Sequence, residues 1–358
     1  MINGLLKKLI VPILGLSLGT ATLSSCAPEP KRGHSPEPKE TPTITANTPD
    51  YTAEKGAITN CANRLLTVQD INGSYDWIIT GHTGPSGKTY LNIAGVTAEG
   101  VLNAYKNSGN TDYLTSATKT GDYLNNQIGN PVDISKTANP FNILYLYNLY
   151  KESGLNKYKE EADAIMNNTL NGDNYWAHHN GNHANDDGII GCSAQELLEA
   201  TKDYRGATST TKGIVPWDLY KYVESGKNFG EDSFANDMAN LLKQYVEQLG
   251  YVDGIDYYTL GLSGAITAMK GAGLDYSIAL DKLKLKQSAD GSFEDSVQST
   301  AYAVMALTAV GETNLAKKGI DYLFTKTNSN GGVTETDGEE YAEVNSEFIQ
   351  ALFDYINY

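Results

Sequence analysis

The sequence is poor in cysteine, histidine and basic side chains, and each shortage removes a class of function. Only three cysteines occur in 358 residues, and none forms the Cys-x-x-Cys pattern of a zinc site. The five histidines include no His-Glu-x-x-His helix motif. Lys and Arg number 27 against 43 Asp and Glu, a net charge of −16. Phosphate recognition needs clustered cations, so nucleic acid is excluded as a partner. The same surplus of acid disfavours adhesion to anionic lipid headgroups. Long apolar runs are also missing. Leu9 to Leu18 is interrupted by Pro12 and falls short of the ~20 residues that span a bilayer.

What stands at the start instead reads as an export signal. Lys7 and Lys8 precede the apolar run, and Leu23-Ser24-Ser25-Cys26 follows it. This order resembles the lipobox of bacterial lipoproteins, which implies cleavage after residue 25 and lipidation of Cys26. Residues 26–50 are rich in Pro, Glu, Lys and Thr, with too little apolar surface to offset the entropy of ordering. They read as a tether to the membrane. The expected location is the extracytoplasmic face of the cell membrane, held there by the lipid anchor.

Residues 51–358 alternate two kinds of helical segment. Amphipathic segments are expected at 57–69, 112–127, 155–169, 233–249, 276–287 and 314–326. Segments apolar or small on nearly every side are expected at 94–106, 139–150, 188–202, 257–271, 296–310 and 343–356. A helix without a polar side must be enclosed by others, so the second kind is inner and the first outer. Six such pairs close into a ring, an all-α (α/α)6 toroid of six helical hairpins. An accessory helix is expected near Pro216 to Ser225, within the long 203–232 connection.

A local signature repeats along the ring. Gln69-Asp70-Ile71-Asn72-Gly73-Ser74-Tyr75 matches Gln287-Ser288-Ala289-Asp290-Gly291-Ser292-Phe293, with a weaker copy ending at Gly331-Gly332-Val333. These copies resemble the Gln…Gly-x-aromatic repeat of the terpenoid cyclase and protein prenyltransferase superfamily, which implies the α/α toroid. That fold also serves thioester domains, cobalamin carriers and polysaccharide-active proteins, so the resemblance leaves activity open. The Asp-x-Asp-Asp acid of squalene–hopene-type cyclases is missing, as is the Asp, Cys, His zinc set of the prenyltransferases.

The outer-to-inner connections are the longer ones, so function is expected where the inner helices begin. Trp77, Tyr90, Trp176 and Tyr341 fall there, with His179, His183, Asp256 and Gln298. Aromatic faces beside amides and carboxylates suit sugars, whose flat apolar side stacks and whose hydroxyls hydrogen-bond. Glycoside hydrolysis requires two carboxylates, one of them protonated. The candidates are Asp187, Asp295, Glu343 and Glu347. Many acids at this face would instead cap inner-helix N-termini. No cofactor is expected, although the His- and Asp-rich run 176–188 could hold zinc or calcium.

The expected function is therefore a surface lipoprotein that binds or processes a polysaccharide. The alternative is a non-catalytic module for a protein or a small ligand such as a corrinoid. Gly191-Cys192-Ser193-Ala194-Gln195 has the Cys-x-x-Gln spacing of thioester adhesins but departs from their Gly-Cys-Gly-Glu-Gln. Cys61 and Cys192 fall on helices that are not neighbours in a closed ring, so free buried thiols are expected.

Overall fold

A computed structural model describes residues 49–128, 140–170, 194, 216–249 and 258–358. Among them are twelve helices and no strand. They are α1 (Thr52–Val68), α2 (Leu91–Ser108), α3 (Thr111–Ile128), α4 (Pro140–Ser153), α5 (Asn156–Leu170) and α6 (Pro216–Phe229). The second half holds α7 (Asp232–Leu249), α8 (Thr259–Gly271), α9 (Ser277–Lys286), α10 (Val297–Ala309), α11 (Thr313–Thr325) and α12 (Ala342–Asn357). No helix among the described residues is long and apolar enough to cross a membrane.

The even-numbered helices form a closed inner ring. Each packs on the next, α2 on α4, α4 on α6, and so on to α12, which packs back on α2. The odd-numbered helices lie outside it. Their burial follows one stripe, as in α1, where Ile58, Cys61, Ala62, Leu65 and Val68 face inward. In α10 burial runs almost unbroken from Val297 to Thr308. The fold is thus the expected six-hairpin toroid.

One assignment needs correcting. The third inner position is filled by α6, where the sequence suggested only an accessory helix. Residues 188–202, read as that inner helix, lie outside the described residues apart from the buried Ala194. Leu219, Tyr222, Val223 and Ser225 are buried in α6. Its charges disguised it, because Lys221 and Glu224 look like a solvent face but line the ring's central cavity. With α6 in place, the next inner-to-outer link is as short as the others.

The three signature copies are one turn used three times. Asp70, Ser288 and Asn328 each donate a backbone N–H to the residue four ahead, at 2.9 Å in all three. Gly73, Gly291 and Gly331 adopt φ of 94°, 93° and 93°, a region that L side chains avoid. Each glycine also abuts the backbone of a following outer helix, Lys119 in α3, Lys318 in α11 and Asn60 in α1. Gln69 donates to the Ser116 carbonyl (3.0 Å) and Gln287 to that of Leu315 (2.9 Å), tying turn to helix. Tyr75, Phe293 and Val333 then bury completely. The third turn docks on α1 and so closes the ring. Thr327 replaces its glutamine, which is why this copy is weak in sequence.

Candidate functional site

At the face where the inner helices begin, the two ends of the domain meet. The loop after α1 runs beside the segment before α12. Ala342 N–H donates to the Trp77 carbonyl (3.0 Å), Ile79 N–H donates to that of Glu340 (2.8 Å), and Ile78 and Tyr341 form an antiparallel bridge. Arg64 locks this junction from beneath. Its guanidinium is bidentate to Glu340 (2.8 and 2.9 Å) and caps the carbonyls of Ile79 (2.6 Å) and His82 (2.7 Å). Both members of the ion pair are 3% exposed.

This pairing sets three rings side by side. The Trp77 ring lies 5.5 Å from Tyr341 and 6.4 Å from Tyr90, both tilted. Trp77 is 43% and Tyr90 38% exposed, so the shelf has an open apolar surface. The indole N–H donates to Glu343 Oε1 (2.8 Å) in the first turn of α12. Glu347 stands one turn further on and is buried. Gln298 donates to its Oε1 (3.3 Å), while Oε2 has no partner. Burial raises the Glu343 carboxyl above the ordinary range, although the Trp77 hydrogen bond opposes the shift. Glu347 is raised well above it, by burial first and then by the charge of Glu343, against hydrogen bonds from Gln298 and Tyr302.

Trp77, Tyr90, Gln298, Tyr341, Glu343 and Glu347 therefore form one connected set. Asp295 does not join it. It accepts from Tyr322 of α11 (3.0 Å) and lies 3.8 Å from Lys326, turned to the outer layer. Its backbone explains this direction, because Glu294 and Asp295 hold left-handed φ of 56° and 49° ahead of α10. Asp187, Trp176, His179, His183 and Asp256 lie outside the described residues, as do Cys26, Cys192 and Gln195. Among the described residues no group of three acids, His or Cys is arranged to hold a metal ion.

Some acids at this face do cap helices. Glu335 accepts from Val297 N (3.0 Å) and Gln298 N (2.7 Å) at the start of α10, and Glu294 from Thr259 N (3.3 Å) at the start of α8. Glu335 thereby holds Gln298 toward Glu347, a positioning role its sequence context did not suggest. Cys61 is free and buried, with its thiol directed at Asn345 Oδ1 (3.2 Å). Burial pushes that thiol up, away from the reactive thiolate.

Neither a protein-family model nor a curated protein sequence matches the chain. Solved structures do. An α-1,6-mannanase of Salegentibacter sp. has a TM-score of 0.54 at 13% identity, covering 85% of this chain and 99% of that one. The unsaturated glucuronyl hydrolase of Bacillus sp. GL1 gives 0.54 at 11%, over 85% and 96%. The cellobiose 2-epimerase of Bacillus thermoamylovorans gives 0.56 at 14%, over 84% and 98%. The chain shares its fold with carbohydrate-active enzymes. At such identities the likeness concerns the toroid alone.

Proposed function

We propose that this protein is a surface lipoprotein, anchored through Cys26, whose toroid binds and processes a polysaccharide on the Trp77–Tyr90–Tyr341 shelf. The observation that carries the proposal is the direct bond from the exposed Trp77 to Glu343, one helical turn from the buried Glu347. A pyranose stacks its apolar face on the aromatic shelf, and its hydroxyls meet Glu343, Gln298 and Asp337, the last already accepting from Tyr341 (2.7 Å). Glu347, whose carboxyl is raised well above the ordinary range by burial and by Glu343, is the acid that donates a proton to the departing glycosidic oxygen. Glu343, nearer to solvent and held by the indole N–H, is the carboxylate that balances the charge developing on the sugar.

The test is a panel of polysaccharides and oligosaccharides scored for binding and for released product. Trp77→Ala is expected to weaken binding at least tenfold. Glu347→Gln is expected to retain binding and lose product. A broad panel with no binding at all would sink the reading, and binding without turnover would reduce it to a recognition module. Cys26→Ala is expected to move the protein from the membrane to the soluble fraction.

A further inference from the structure

A second feature of the ring lies at its other end. A cavity of about 320 Å³ occupies the axis between α2, α6, α8, α10 and α12. Lys106, Ala309 and Asp354 line it from the last turns of α2, α10 and α12, whereas the aromatic shelf sits where α2 and α12 begin. Three acids and two lysines face this space. Each lysine is engaged: Lys221 with Glu224 at 3.2 Å and Lys106 with Glu99 at 3.6 Å. Asp354 is left over, with neither a hydrogen bond nor an ion pair. Two more acceptors at the wall are unpartnered, Glu99 Oε2 and the hydroxyl of Ser263, a residue only 2% exposed.

This lining selects by charge. An anion would find both ammonium groups occupied and an uncompensated carboxylate beside them. A cationic amine would find that carboxylate and would supply the N–H donors the wall lacks. The Tyr220 ring, 6.1 Å from that of Tyr302, already carries the Lys221 ammonium over its face at 4.6 Å, so this wall accommodates positive charge. Asn103 and Thr267 offer partners for hydroxyls.

We propose that the axial cavity is a second binding site, for a small molecule carrying a primary ammonium group, with Asp354 as its counter-ion. An amino sugar unit and a simple alkyl amine share this chemistry. Asp354 is exposed to water at the last turn of α12, with the walls of the cavity crowded around the rest of it. Enclosure, with Glu224 and Glu99, outweighs Lys221 and Lys106 and pushes its carboxyl up to about 7. Those four are the charged groups facing it, from α6 and α2; α8 and α10 present only uncharged residues to the cavity.

Calorimetric titration of the intact protein tests the site, using glucosamine, N-acetylglucosamine, glucose and 1,4-diaminobutane as probes. Glucosamine or diaminobutane should bind, and N-acetylglucosamine and glucose should bind at least tenfold more weakly. Asp354→Asn should weaken the amine at least tenfold with an unchanged melting temperature, while Trp77→Ala should leave it unaltered. Diaminobutane remains charged from pH 5 to 8.5, so its affinity should rise across that range as Asp354 ionises. Glucosamine favoured over diaminobutane assigns the site to amino sugars; the reverse assigns it to alkyl amines. No binding of either amine overturns the proposal. So does binding that is insensitive to Asp354→Asn, or binding lost in Trp77→Ala, which would place the ligand on the shelf.

Discussion

Replacing Arg64 with methionine tests how the candidate site is held in place. The side chain is nearly as long, so packing is largely kept, but four polar contacts are lost at once. Glu340 becomes a buried carboxylate without a counter-charge, which costs about 3–5 kcal/mol when a buried pair is broken on one side. The carbonyls of Ile79 and His82 lose their donors, at about 1–3 kcal/mol each if they stay dry. Relaxation of the 78–82 loop lets water reach them, so a total of about 4–6 kcal/mol is the sensible figure. At ~2–4 °C per kcal/mol the melting temperature should fall by at least ~8 °C. The loop that loosens is the one that carries Trp77, so glycan affinity should fall with it. Circular dichroism melts and titrations of the same samples read both effects. Arg64→Met, Glu340→Met removes the stranded charge but not the stranded carbonyls, and should recover about half of the loss. A single variant that melts within 2 °C of the wild type would refute the lock.

Trp77→Ala should weaken glycan binding at least tenfold (~1.4 kcal/mol), and Glu347→Gln should lower turnover by at least ~10² with binding intact, measured by titration and product release. Glu161 in α5 is buried with both carboxyl oxygens unpartnered, and burial, then Asp122, pushes it up to about 8 against Lys157. The folded chain then binds the extra proton between the ordinary carboxylate range and about 8, so this contribution to stability falls as pH rises through that window. Glu161→Gln should therefore stabilise by on the order of 2 kcal/mol at pH 8 and little at pH 4, read from melts at both. Gly73→Ala would place a Cβ 2.2 Å from the Lys119 carbonyl, whereas Gly109→Ala meets nothing within 4 Å. Both adopt positive φ, so the second should cost about 1 kcal/mol and the first several, by chemical denaturation.

The ring was legible because burial shows in composition. Segments such as α10 and α12 carry apolar or small residues around most of their circumference, and only enclosure accounts for that. The same criterion failed at α6 because an inner helix of a closed ring with a hollow axis has two environments. Its outward sides are packed, but its lumen side is wet and polar. Lys221 and Glu224 in α6, Glu99, Asn103 and Lys106 in α2, and Gln350 and Asp354 in α12 all occupy that side. The spacing of these polar positions, three or four residues apart within otherwise apolar helices, is the signal that would have found the cavity. Glu343, Glu347 and Gln298 were legible because they sit at inner-helix starts beside aromatics. Arg64 was not, since a charge on an outer helix reads as solvent-facing until its partner, 276 residues away, is placed beside it. The direction of Asp295 was equally hidden, because it depends on two successive left-handed residues that the sequence does not announce.

Ring closure and the candidate site depend on the same seam. Trp77 and Tyr90 come from the first hairpin, and Tyr341, Glu343 and Glu347 from the last. They meet only when α12 packs on α2 and the Gly331 turn docks on α1. Gly100 makes that approach possible, since a Cβ there would lie 2.4 Å from the Ser346 hydroxyl, which accepts its N–H at 3.0 Å. A partly folded ring lacking either terminal hairpin would bury most of its inner helices yet present no shelf and no Trp77–Glu343 bond. Gly100→Ala should therefore widen the seam and reduce glycan binding more than it reduces helix content. Equal losses of both would mean that the ring forms and fails as one cooperative unit, with no separately weakened seam.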